Sequence, residues 1–67
     1  METREVDLNR LLACCRRELA FRTRVYPRMV ANGKISEKKA EDEIELMRQV
    51  CDFLCHCVFR AVVRRSG

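Results

Sequence analysis

The sequence predicts an all-α fold: an antiparallel helical hairpin that self-associates, most simply into a four-helix bundle. Three observations carry that expectation. Two stretches repeat apolar residues at helical spacing, one on each side of a single turn signal, Asn32-Gly33 followed by Ser36. The chain of 67 residues has only two glycines and one proline, too few punctuation marks for a β barrel. The second stretch also carries more apolar surface than one partner helix can cover.

The first helix is expected over about residues 7–31. Leu8, Leu12, Cys15, Leu19 and Tyr26 form its stripe, interrupted by Arg22 and widened by Leu11, Cys14, Phe21 and Val25. Pro27 falls inside it. An interior proline loses a hydrogen bond and clashes with the preceding turn, so a kink is expected there. Met29 and Val30 remain apolar beyond it, and Asn32-Gly33 reads as the true stop. The turn occupies 32–35.

The second helix is expected over about 36–63. Ser36 suits the N-cap and Glu37 the first turn. Lys39 stands where Glu or Gln would complete a capping box. Ala40, Ile44, Met47, Cys51, Leu54 and Val58 follow 4-3-4-3-4 spacing, close to a coiled-coil seam, and Ala61 or Val62 extends it. Pairing about the turn sets Arg22 and Arg24 against the Glu43–Glu45 region and Cys15 against Cys51.

A second stripe runs beside the first: Leu46, Val50, Phe53, Cys57 and Ala61. Between Cys51 and Val63, ten of thirteen residues are apolar, so this helix needs cover on more than one side. These five residues are the expected oligomer interface, and a second copy of the chain is the expected cover. The whole chain, 1–67, is expected to be one domain, and a lone core at this size is marginal.

Fourteen Lys and Arg face ten Asp and Glu, a net charge of +4, and eleven of the fourteen are arginine. The excess is uneven. Arg16 to Lys34 holds six cations and one acid, whereas Glu37 to Glu45 holds five acids and two lysines. No apolar leader stands near the start, and no run approaches the ~18 apolar residues that span a bilayer. Five cysteines in that setting predict free thiols, a cytoplasmic location and no membrane partner.

The cysteines and His56 are the candidates for chemistry. Cys14-Cys15 and Cys55-His56-Cys57 lack the two-residue gap of a zinc knuckle. Buried free cysteine behaves as a small hydrophobe, so these are expected to pack. His56 is the only histidine and has no nucleophile arranged around it, and no phosphate loop or metal motif is present. No catalytic residue, metal or cofactor is therefore expected, and no enzymatic activity. Arg16, Arg17, Arg24 and Arg28 suggest a rival reading, salt-dependent contact with nucleic acid. Few aromatics accompany them, and two helices fall short of a helix-turn-helix domain.

The segment Arg22 to Lys34 resembles small phage- and prophage-encoded proteins that carry R-x-R-V-Y-P-R-x-V-x-x-G-K. Their motif is followed by A-x-x-E-I-x-x-M, matched here by Ala40, Glu43, Ile44 and Met47. The likeness covers about residues 18–50. Met29 stands where those proteins have tryptophan, and the cysteine-rich tail after Val50 is particular to this chain. The resemblance implies a viral origin and a helical hairpin, and no chemistry. Together these readings lead to a non-enzymatic phage accessory protein in the host cytoplasm. It is expected to bind a host or phage protein as adaptor or inhibitor, host defence included. Arg24, Tyr26, Arg28 and Lys34, grouped at the Pro27 elbow, are the expected partner-binding residues.

Overall fold

The computed structural model describes residues 6–66, with side chains through Arg64. Residues 1–5 and 67 of the expected domain lie outside that description. Two helices fill the described chain, α1 (Leu8–Ala31) and α2 (Glu37–Ser66), and they pack against each other.

The caps explain the ends. Asp7 is the N-cap of α1: the Arg10 backbone N–H donates to its Oδ1 at 3.1 Å. Ser36 caps α2 in the same way, with its Oγ accepting from the Lys39 backbone N–H at 3.1 Å. α2 therefore starts at Glu37 behind the expected Ser36 cap, whereas α1 starts one residue after the expected Asp7, because Asp7 serves as a cap and not as a first helical residue. α2 runs to Ser66, three residues past the expected end, since Arg64 and Arg65 offer nothing that breaks a helix.

α1 continues through Pro27 to Ala31. The proline leaves the Thr23 carbonyl without its usual donor. One turn earlier, the Thr23 hydroxyl bonds back to the Leu19 carbonyl at 2.8 Å. The helix ends in a Schellman motif. The Gly33 N–H donates to the Val30 carbonyl at 3.0 Å, and the Lys34 N–H reaches the Met29 carbonyl at 2.8 Å. Gly33 sits at φ +70°, the left-handed conformation that this motif requires.

The molecule measures 50 × 31 × 15 Å, a slab one helix layer thick. Leu12, Ala40 and Cys51 are the buried core residues between the helices. Among the described residues there is no strand and no third layer.

Candidate interaction surfaces

The seam between the helices is pinned by Arg22. Its Nη1 donates to the Glu43 backbone carbonyl at 2.9 Å and lies 3.5 Å from the Glu43 carboxylate. Its Nε donates to Glu18 Oε1 at 3.0 Å. The guanidinium carbon stands 5.9 Å from the centre of the Tyr26 ring. The hydrogen bond to Glu18 raises the pKa of Arg22 above its ordinary value. Glu43 takes a second cation, Lys39, at 3.9 Å. The residue that breaks the apolar stripe of α1 is thus the one that joins the helices.

Midway along the hairpin, Cys15 and Cys51 meet across the seam. Cys51 is buried, and burial pushes its pKa up, with Cys15 and Asp52 adding to the shift. Arg16 sits beside this pair and donates to the Cys55 sulfur at 4.0 Å. All five cysteines are unbridged. Among the described residues, no group of three or more acids, cysteines or histidines is arranged to hold a metal ion. His56 is exposed in a shallow, open groove with Asp52, Cys55 and Phe59.

A helix turns about 100° per residue, which sorts the remaining side chains into faces. On α1, Leu11, Val25 and Met29 lie to one side of the seam, the side on which Glu18 meets Arg22. On α2, Leu46, Val50, Phe53, Cys57 and Ala61 lie to the side on which Glu43 meets Arg22. The Arg22–Glu43 bridge joins these flanks, so they form one broad face of the slab. Leu46, Val50 and Phe53 are exposed there, Phe53 at 67%, and Cys57 and Ala61 are half-buried. An open groove of about 350 Å³ marks the far end of the hairpin, between Val6 and Leu8 on one side and Val58, Ala61 and Val62 on the other.

The elbow residues do not share a face. Arg24, Arg28 and Lys34 are exposed, whereas Tyr26 is half-buried beside Arg22 on the packed side. The four helix 1 arginines also divide. Arg17, Arg24 and Arg28 stand on the outer edge of α1, away from α2. Arg16 is turned about 100° from Arg17 and so reaches Cys55. Arg10 joins the outer edge in its place. Its spacing of seven from Arg17 was the available signal, and the charge run that begins at Arg16 obscures it. No ion pair engages Arg10, Arg17, Arg24 or Arg28 among the described residues.

No family model matches the chain, and neither the curated proteins nor the solved structures contain a match. Among the described residues, no helix is long and apolar enough to cross a membrane.

Proposed function

We propose that this chain is a non-enzymatic accessory protein of the phage type, acting by protein–protein binding as a self-associated hairpin. Two copies pair through the broad apolar face into a four-helix bundle. In the host cytoplasm the assembled bundle acts as adaptor or inhibitor of a host protein, with defence proteins among the targets. The elbow cations Arg24, Arg28 and Lys34 supply charge complementarity to that target.

The observation that carries this reading is surface area. The whole chain of 67 residues exposes 5949 Å². A compact monomer of this mass exposes about 4,400 Å². The excess of roughly 1,500 Å² exceeds the ~800 Å² that each partner contributes to an ordinary stable interface. It includes Leu46, Val50 and Phe53, three apolar side chains on one face. The sequence resemblance adds the phage setting.

Sedimentation of the purified protein tests the assembly: a dimer is expected, and a 7.9 kDa species at micromolar concentration would refute it. Capture from host extract tests the target. Arg24→Glu/Arg28→Glu should lose the proteins that the unaltered chain recovers, and identical recovery removes the elbow from the binding surface.

A further inference from the structure

We infer that the outer edge of α1 is a track for the phosphate backbone of duplex nucleic acid, formed by Arg10, Arg17, Arg24 and Arg28. Arg10, Arg17 and Arg24 are seven residues apart, so they lie almost in line along the helix, about 10 Å between neighbours. Arg28 continues the line one turn further, for a total length of about 27 Å. All four are exposed. Within α1 the one acid of the described chain is Glu18, which is engaged by Arg22; the N-cap Asp7 adjoins the Arg10 end but accepts from the Arg10 backbone N–H, and no acid comes within ion-pair distance of the four guanidiniums among the described residues. From Arg10 to Arg28 the line itself carries only positive charge.

Its position also matters. The track faces away from α2 and away from the broad apolar face. A second copy on that face leaves it open, and so does a monomer, so the track does not depend on the dimer.

Taken over its full length, beyond the Arg24 and Arg28 that the elbow offers to a protein, the line fits a polyanion better than an acidic protein. The outside of a helix is convex and offers no pocket for an anchoring side chain. An acidic protein would have to place carboxylates in register with four widely spaced cations. Duplex nucleic acid presents phosphates at short, regular intervals, roughly sixteen over about 27 Å, so it demands no particular spacing of carboxylate-like groups. Arginine's planar fork binds phosphate oxygens in pairs. Binding should accordingly ignore sequence and depend steeply on salt.

The test is fluorescence anisotropy with a labelled duplex of about 30 base pairs over a salt series. Four phosphate contacts predict a slope of log affinity against log salt near −3 to −4, about a hundredfold loss from 50 to 200 mM. A second duplex of unrelated sequence should bind within a few-fold. Arg10→Gln/Arg17→Gln should weaken binding at least tenfold at low salt and reduce the slope by about two. These positions lie outside the elbow, so the result is independent of the captured protein. Lys38→Gln/Arg60→Gln removes the same charge from α2 and should bind nearly as the unaltered chain does. Circular dichroism establishes that each variant keeps its helices. A slope below one, equal losses in the two double variants, or equal displacement by polyglutamate at matched charge would each overturn the proposal.

Discussion

Arg22 illustrates how much one side chain contributes to a hairpin with three buried core residues. It lies on the packed face, 21% exposed, and donates to a backbone carbonyl of the other helix. A hydrogen bond from a charged donor contributes about 1.5–3 kcal/mol, and the part involving Glu18, which is half-exposed, contributes much less. Arg22→Ala should therefore cost about 2 kcal/mol in urea unfolding, and Arg22→Lys should recover little, because a single nitrogen lacks the spaced fork that reaches Glu18 through Nε and the Glu43 carbonyl through Nη1. Cys51 makes the opposite point, a residue held neutral by its surroundings. Its raised pKa means that the fold disfavours the thiolate, while the unfolded chain ionises freely. The unfolded state then binds fewer protons at high pH, so stability is full below the ordinary thiol pKa and falls as pH rises through it. Cys51→Ala should flatten that alkaline fall. Native alkylation by iodoacetamide should be fastest at the exposed Cys14 and Cys55 and slowest at Cys51, and rapid labelling of Cys51 would contradict its burial.

Each helix is delimited by side-chain chemistry that operates locally. Gly33 has nothing within 4 Å of the position a Cβ would take, so Gly33→Ala meets no clash and suffers only the left-handed backbone. That costs about 1 kcal/mol, and Gly33→Asn should cost less. Ser36→Ala should cost about 1 kcal/mol through the lost cap on α2. Thermal melts of these three variants check both statements. These signals were legible in the sequence because caps and stops act within four residues. The stripe of α2 was legible because its period is that of the helix. Less legible was what depends on direction around the axis. Arg16 and Arg17 are neighbours in sequence and belong to one charge run, yet one faces the thiols and the other the outside. Tyr26 shares a motif with Arg24 and Arg28 but not a face. Asp7 reads as a first helical residue until its carboxylate is seen to accept the Arg10 N–H. That Arg22 meets Glu43 follows from pairing about the turn, but its hydrogen bond to the backbone carbonyl has no sequence signature.

At the scale of the whole molecule, the balance between apolar cover and chain length decides what the hairpin can be. The seam between two helices buries Leu12, Ala40 and Cys51 and only partly covers Leu8, Leu19, Ile44 and Leu54. A fold with so small a buried core has little margin against the entropy of the ordered chain, and cover over the exposed face would add to it. If that cover is a second copy, stability and assembly are one equilibrium, and dilution unfolds the protein. The free energy of unfolding should then rise by about 1.4 kcal/mol for each tenfold increase in concentration, with a parallel rise in Tm. Phe53 is the sharpest probe of that linkage, since it is 67% exposed in the isolated chain. In a monomer, Phe53→Asp would touch nothing and leave stability almost unchanged. In the bundle it puts a charge into an apolar interface, and should dissociate the dimer and unfold much of the helix at concentrations where the unaltered chain is folded. Circular dichroism melts across a hundredfold concentration range, run in parallel on both proteins, separate the two cases. A Tm independent of concentration, together with an unperturbed Phe53→Asp, would leave the apolar face without a second copy as its cover.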